Sequence, residues 1–360
     1  MNFFRNFRVL IPSLLLLPAA FGQSQWVAPR LTAVFDKTSH SLQPVYGHPG
    51  SAYLGAALRD NLRNAYPSLD GQWAVVAGED GAEIIYLNSP EEPVLKLAPG
   101  LQDVAWSADS KSFAAQFCLP AGEEVPDSSL PPNCYFAAIH LSDGHWAEVG
   151  ASPPASGPGR LLAYRSSTRE IWFTRRDNSG ENPELVFFRC TDSQTVSVKQ
   201  GLDALSISFT PCQGLCLWGT DAVAGQIFRL EQAEGGWRQL AAPITAPEGY
   251  RSSHLLGLSR EFLLSVWVPV SLEEDNPLPA LLLRHAISEE SGGEAVERHE
   301  LEAIPDALFR ILPGGFISLQ RTVDSGQPLF LYDEQGHQLF FVPALSPAAE
   351  VKAAVAGGAQ

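Results

Sequence analysis

Residues 62–100 read LRNAYPSLDGQWAVVAGEDGAEIIYLNSPEEPVLKLAPG and contain four short apolar runs. Residues that favour turns separate these runs: Asp70-Gly71, Asp80-Gly81 and a loop that holds two prolines. Short runs rich in Val, Ile, Tyr and Trp, bounded by such turns, are typical of β-strands. The stretch therefore predicts an antiparallel sheet of four strands within about forty residues.

The same arrangement recurs further along the chain. With an offset of 39 residues, Ser68 and Asp70 in SLDGQ fall on Ser107 and Asp109 in SADSK. Four further units follow, at residues 160–201, 202–243, 250–302 and 303–344. Units of four strands that repeat every 40 to 50 residues or so are typical of β-propellers, whereas a pair of β-sandwiches gives no reason for the repeat. Because no helical period exceeds two turns before the last dozen residues, we predict an all-β propeller of four-stranded blades.

The number of blades depends on the N-terminal part of the chain. Residues 30–50 hold two apolar runs around a polar turn and resemble the back half of a blade. Propellers commonly close when strands from one terminus complete a blade begun at the other, which removes a free sheet edge. Six complete units and this half blade predict either six or seven blades. We assign residues 23–344 to one propeller domain and residues 345–360 to a flexible tail.

The turns of the first units resemble a known repeat signature. SLDGQ and SADSK resemble the S-P-D-G-K turn of WD-type and TolB-like propeller repeats of secreted bacterial proteins, although neither has Pro before Asp and the second has Ser110 in place of Gly. Residues 160–201, with their polar turn RRDNSGENP, are similar to a TolB-like blade. The resemblance implies an exported, non-enzymatic module that binds another protein or a component of the cell envelope.

The N-terminus predicts export. Arg5 and Arg8 precede an apolar run, and small residues follow at Ala20 and Gly22, as in a secretory signal peptide of residues 1–22. No later stretch approaches the roughly 18 unbroken apolar residues of a membrane-spanning helix, so we predict no span. The expected location is the periplasm or the extracellular medium. A closed ring hides its own sheet edges, so a monomer is expected.

The chain carries a large excess of negative charge. It has 40 acidic and 24 basic residues, a net charge of −16. Nucleic acid is excluded as a partner, because phosphate binding relies on clustered Lys and Arg. Most of the acidic residues fall in loops, where they keep a secreted protein soluble.

The five cysteines predict two disulfides. Cys118 and Cys134 bracket a proline-rich insert between two strands, and Cys212 and Cys216 lie in PCQGLC, where they can pair across a tight turn. Cys190 is then left over, or it pairs with Cys212 or Cys216 instead. No His lies near PCQGLC, the eight His show no metal-binding spacing, and DNSGEN lacks the last Glu of a calcium loop, so we predict no metal and no cofactor.

Candidate ligand-binding residues lie near the starts of the innermost strands, around the mouth of the axial channel. They are Asn64, Asp103, Arg160, Asp203, His254 and Asp306. Several carboxylates around one axis suit a cation or a polyol. The alternative is structural and is favoured here, because Asp or Asn at the start of a strand often accepts hydrogen bonds from nearby backbone amides.

No motif for catalysis accompanies these residues. G-x-S-x-G and phosphate-binding loops are absent from the sequence, so no catalytic residue is assigned. The eight Trp are spread at about one per unit, which favours packing between blades over a platform for sugars or bases. We therefore expect a binding scaffold. The competing hypothesis is a propeller hydrolase or lyase whose carboxylates line the axial site.

Overall fold

A computed structural model describes residues 30–342 except 49, 120–132, 153–154, 157–158, 177–181, 213–214, 235, 240–242, 272–277, 289–292, 302–303, 312–315 and 322–328. The predicted signal peptide, the predicted tail, Trp26 and most of the DNSGEN turn lie outside this part of the chain. Among the described residues, no helix has the length and apolar character needed to cross a membrane.

Seven antiparallel sheets follow one another along the chain, and within each the strands are neighbours in chain order. The first four sheets contain β1 (Arg30–Asp36), β2 (Ser41–Tyr46) and β3 (Tyr53–Leu54); β4 (Asn64–Pro67), β5 (Trp73–Gly78), β6 (Gly81–Tyr86) and β7 (Ser89–Lys96); β8 (Leu101–Trp106), β9 (Ser112–Leu119), β10 (Asn133–Ser142) and β11 (His145–Ala151), with β12 (Ala155–Ser156) paired to β10; and β13 (Arg160–Arg165), β14 (Glu170–Arg176), β15 (Pro183–Arg189) and β16 (Gln194–Gln200).

The last three sheets have four strands each. They contain β17 (Ala204–Pro211), β18 (Leu215–Asp221), β19 (Ile227–Ala233) and β20 (Gly236–Gln239); β21 (Tyr250–Gly257), β22 (Phe262–Pro269), β23 (Ala280–Ala286) and β24 (Glu294–Leu301); and β25 (Pro305–Ile311), β26 (Phe316–Arg321), β27 (Leu329–Asp333) and β28 (Gln338–Val342). The prediction of an all-β propeller is confirmed, and the number of blades is seven.

The first strand of each sheet is the innermost one. β1 packs on β4, β8 on β13, β13 on β17, β17 on β21, and β21 on β25, so these strands surround the axis. The N-terminal segment therefore differs from the predicted half blade in one respect. It supplies the first three strands of its own blade, and the described part of the C-terminal region adds no strand to it.

The core lies between the blades. Seven apolar clusters each join two consecutive blades, and the seventh joins the last blade to the first. In that seventh cluster, Leu329 and Leu331 of β27 meet Val34 of β1 and Val45 of β2, all of them at most 1% exposed. The ring is closed by burial of apolar side chains, at about 25 cal/mol for each Å² removed from water.

The tryptophans of the described part of the chain lie in these clusters, as the sequence predicted. Trp172, Trp218 and Trp267 are fully buried, and Trp172 packs between the fourth and fifth blades. Trp73 and Trp146 meet edge to face, with ring centroids 5.5 Å apart, between the second and third blades. Aromatic pairs of this geometry stabilise beyond their buried area.

The repeated Ser-x-Asp segments form one turn between the first and second strands of a blade. Ser68 Oγ donates to Asp70 Oδ1 at 2.6 Å and accepts from the Trp73 N–H at 3.0 Å. Ser107 and Asp109 repeat the first of these bonds at 2.5 Å. Ser110 takes the left-handed backbone conformation (φ 57°) that Gly adopts in the preceding blade, and its Oγ accepts from the Asp70 N–H at 3.1 Å. The serine that replaces glycine at position 110 thus links the turns of two neighbouring blades through its hydroxyl group.

Both predicted cysteine pairs are at disulfide distance. Cys118 and Cys134 are register partners on β9 and β10, with Cα atoms 4.1 Å apart. Cys212 and Cys216 span the hairpin between β17 and β18, with Cα atoms 5.7 Å apart. Cys190 is a free thiol, so the alternative in which it pairs with Cys212 or Cys216 is wrong.

Candidate functional site

Three of the predicted residues occupy matching positions in the innermost strands. Six of the seven innermost strands show a register shift near their start, a β-bulge in which one residue is extra. Asp103 follows the shift in β8, and His254 follows the shift in β21. Asn64 precedes its Ser-x-Asp turn by the same number of residues as Asp103 does. These three residues therefore lie at equivalent positions along the innermost strands.

Asn64 and Asp103 make the same local hydrogen bond. The Asn64 Oδ1 accepts from the Ala65 N–H at 3.0 Å, and the Asp103 Oδ1 accepts from the Val104 N–H at 2.8 Å. Such bonds fix the backbone at the start of a strand. This geometry supports the structural interpretation for these two residues.

Tyr66, which was not among the predicted residues, connects the second and third blades at this level. Its hydroxyl accepts from the Asn64 Nδ2 at 2.6 Å and donates to the Gln102 carbonyl at 2.7 Å. Tyr66 and Asn64 lie on the same face of β4, two residues apart. That spacing was visible in the sequence, but the carbonyl acceptor belongs to another blade and was not.

Asp103 is electrostatically unusual. Burial raises the pKa of its carboxyl to about 6, while the Val104 N–H and the Arg160 guanidinium act in the opposite direction. Burial also raises the pKa of the Tyr66 hydroxyl, and the charge of Asp103 adds to that effect. Arg160 and Asp103 come from neighbouring blades and were both predicted from the sequence, and the fold brings them into electrostatic contact.

The remaining predicted residues lie at other levels. Arg160 begins β13 and is exposed, and Asp203 comes directly before β17. Both precede the register shifts of their strands and lie closer to the end of the propeller than Asp103 does. His254 Nδ1 is 2.8 Å from the Ser253 hydroxyl. Asp306 lies within the register shift of β25. The six predicted residues therefore do not form a single ring.

The innermost strands begin at one end of the propeller, which we term the front face. The links from the second to the third strand of each blade lie at the same end. Among the described residues, four large apolar side chains are exposed there, with exposed fractions of 78%, 65%, 47% and 39% for Val223, Val270, Leu278 and Ile304 respectively. We term these four residues the apolar patch.

Three residues of the apolar patch surround the start of β21. The Val270 N–H donates to the Gly249 carbonyl at 2.9 Å, and Leu278 lies against Gly249. The turn that carries Val223 reaches the same strand, because the Ser252 N–H donates to the Gly225 carbonyl at 3.0 Å. Val223, Val270 and Leu278 therefore lie on the fifth and sixth blades around the start of one innermost strand, and Ile304 directly precedes the innermost strand of the seventh blade.

No family model matches this chain, and no curated protein matches it. Solved structures do match, and they define the class as a β-propeller. A protein from Lactobacillus plantarum is 12% identical, with 87% of this chain and 96% of that chain covered and a TM-score of 0.55. A putative 6-phosphogluconolactonase from Bacteroides fragilis is 11% identical, with 87% and 92% covered and a TM-score of 0.53.

TolB from Acinetobacter baumannii is also among the matching structures. It is 17% identical, with 78% of this chain and 61% of that chain covered and a TM-score of 0.45. The expected likeness to TolB-like propellers is thus found among the solved structures. At these identities the likenesses show the fold alone, and the particular function has to be argued from this chain's own residues.

Proposed function

We propose that this protein is an exported, non-catalytic propeller that binds another protein or a cell-envelope component with its front face. The observation that carries this proposal is the apolar patch, Val223, Val270, Leu278 and Ile304. Large apolar side chains that lie close together on a surface and have polar surroundings are typical of interaction sites. Association would remove them from water at about 25 cal/mol per Å².

Two further features support this proposal. The Cys118–Cys134 and Cys212–Cys216 pairs are typical of proteins that fold in an oxidising compartment, in agreement with the predicted signal peptide. The axial residues Asn64 and Asp103 are bound to neighbouring backbone amides, as expected of a framework. Because the ring pairs its own strands, the free protein is expected to be a monomer that meets its partner through side chains.

The apolar patch can be tested by capture from an envelope extract of the source organism. The double variant Val270→Asp, Leu278→Asp should retain less than a tenth of the partner bound by the wild type, because two buried charges without counterions oppose association. The matched control is Val94→Asp, Val296→Asp, which changes two exposed apolar residues (45% and 52%) on the outer strands β7 and β24. Equal capture by the two double variants would contradict the proposal.

A hydrolase or lyase is the second candidate, and one observation favours it. A carboxyl with a pKa of about 6 carries a proton over much of the range below neutral pH, as a general acid requires. Asp103 would then donate that proton near the channel mouth. A screen of glycans and lactones tests this candidate. If it finds an activity that Asp103→Asn abolishes without changing the unfolding transition, the protein is an enzyme and the proposal of a non-catalytic scaffold is wrong.

A further inference from the structure

A cavity of about 120 Å³ opens on the front face between the fourth and fifth blades, away from the axis. Its outer wall is formed by Lys199 of β16 and Gln239 of β20. Asp221 and Gln226 flank the link between β18 and β19 and line another part of the wall. Phe228 belongs to β19 and contributes apolar surface. The cavity therefore combines a cation, an anion, two amides and an apolar wall.

Two of the polar side chains at the cavity make hydrogen bonds to the protein. Lys199 Nζ donates to Gln239 Oε1 at 3.3 Å and so joins the outer strands of both blades. Asp221 Oδ1 accepts from the Val223 N–H at 2.9 Å, which orients the carboxylate. Its second oxygen has no hydrogen-bond partner among the described residues. A lysine ammonium has three donors, so Lys199 also retains capacity for a ligand.

The apolar wall belongs to the packed core. Phe228 and Leu230 are 7% and 2% exposed, and both belong to the cluster that joins the fourth and fifth blades. This wall cannot accept a charged or hydroxylated group without loss of that group's hydration. It suits the hydrocarbon part of a ligand.

The size of the cavity restricts the ligand further. A cavity of about 150 Å³ holds a molecule such as benzene, and pockets for drug-sized ligands occupy about 300 to 1,000 Å³. At about 120 Å³ this cavity is too small for an oligosaccharide or a nucleotide. It fits a short hydrocarbon body whose polar head remains at the opening.

We propose that this cavity binds a free α-amino acid with an apolar side chain. Lys199 pairs with the α-carboxylate, Asp221 pairs with the α-ammonium, and the side chain lies on Phe228 and Leu230. The Gln226 and Gln239 amides supply further hydrogen bonds to the two charged groups. This inference does not depend on the apolar patch, because the ligand is a small molecule and no partner protein takes part.

Calorimetric titration of the full exported chain tests the proposal with leucine, valine and phenylalanine as probes. We expect at least one of them to bind and two analogues to fail: isopentylamine, which lacks the carboxylate, and 4-methylpentanoate, which lacks the ammonium. Lys199→Met keeps the apolar stem and should weaken binding at least tenfold. Asp221→Asn keeps the acceptor for the Val223 N–H and should do the same.

The controls separate loss of the site from loss of the fold. Lys96→Met changes a lysine at the end of β7, the corresponding outer strand of the second blade, and Asp80→Asn changes an aspartate in the corresponding turn of that blade. Both should bind like the wild type. The proposal is overturned if none of the three amino acids binds at millimolar concentration, if either analogue binds equally well, or if Lys199→Met and Asp221→Asn bind as the controls do. Capture of a partner by the apolar patch is measured separately and is unaffected by any of these results.

Discussion

The folded-state pKa values of His285 and Asp103 are shifted in opposite directions, so the two residues have opposite effects on stability between pH 4 and 6.5. Burial lowers the pKa of His285 to about 4, so that the unfolded chain takes up a proton on acidification before the folded chain does. Acidification through this range therefore costs about 3 kcal/mol of stability. Asp103 has a folded pKa raised to about 6, so its folded form takes up a proton first and acidification stabilises by a similar amount. The two contributions oppose each other.

Single variants should reveal the two contributions separately. We expect Asp103→Asn to lose stability relative to the wild type as the pH falls from 6.5 to 4.5, and His285→Gln to gain stability relative to the wild type over the same range. Urea unfolding at several pH values measures both slopes. If the difference in unfolding free energy between a variant and the wild type does not change with pH, the substituted residue has an ordinary pKa in the folded state.

Gly219 permits the packing of one aromatic ring. A Cβ at this position of β18 would overlap the ring of Phe228, which lies in the interface of two blades and lines the cavity. We expect Gly219→Ala to destabilise the protein by roughly 1 to 3 kcal/mol, because the ring has to move within a packed core. Amino-acid binding should weaken as well.

The control for this substitution is Gly78→Ala at the end of β5. There a Cβ would meet a backbone oxygen only at 3.8 Å, which is ordinary contact. Thermal unfolding of the two variants gives the comparison. Equal stability of Gly219→Ala and Gly78→Ala would mean that the Phe228 ring is not fixed by the glycine.

At the scale of the element, Ser110 combines a strained backbone with a bond between blades. Its left-handed conformation favours Gly, while its hydroxyl accepts from the Asp70 N–H at 3.1 Å. Ser110→Ala removes the bond and keeps the strain, so we expect a loss of about 1 to 2 kcal/mol. Ser110→Gly also removes the bond but relieves the strain, so its loss should be smaller by up to about 1 kcal/mol. If urea unfolding shows that Ser110→Gly is less stable than Ser110→Ala, this explanation is wrong.

The strands and turns were predictable from the sequence, but the levels of the site residues were not. Alternating apolar residues and Ser-x-Asp turns are local signals, and they predicted the strands on either side of Asp70 and Asp109. A β-bulge leaves no comparable signal. Asp103 follows the register shift of β8, whereas Arg160 and Asp203 precede the shifts of β13 and β17, so these two residues lie at a different level from Asp103.

At the scale of the whole molecule, the sequence predicted the propeller but could not choose between six and seven blades. That choice depends on where residues 30–50 lie, and their burial against β4 and β27 is a tertiary contact. The cavity is a similar case. Lys199 belongs to the fourth blade, and Asp221 and Gln239 belong to the fifth, so Lys199 becomes their neighbour only when the two blades pack together.

We expect the apolar cluster that joins the last blade to the first to contribute to the free energy of unfolding. Leu331 is fully buried there, and Leu331→Ala is expected to cost about 2 to 5 kcal/mol. Amide hydrogen exchange should become faster mainly in β1 and β27. The matched control is Leu282→Ala, an equally buried residue between the sixth and seventh blades. β27 borders both interfaces, so β1 is the strand that distinguishes them: if Leu282→Ala speeds up exchange in β1 as much as Leu331→Ala does, the two interfaces do not act separately.

Closure by side chains has a mechanical consequence. Among the described residues, no backbone hydrogen bond crosses from β1–β3 to β25–β28. Among the described residues, this interface is made by an apolar cluster, so a force that pulls Arg30 and Val342 apart would be opposed there by side-chain packing, whereas each blade resists through its ladder of backbone bonds. Such contacts separate without a sequence of bonds to break, so the ring would open here as a curved chain of intact blades before any blade unravels.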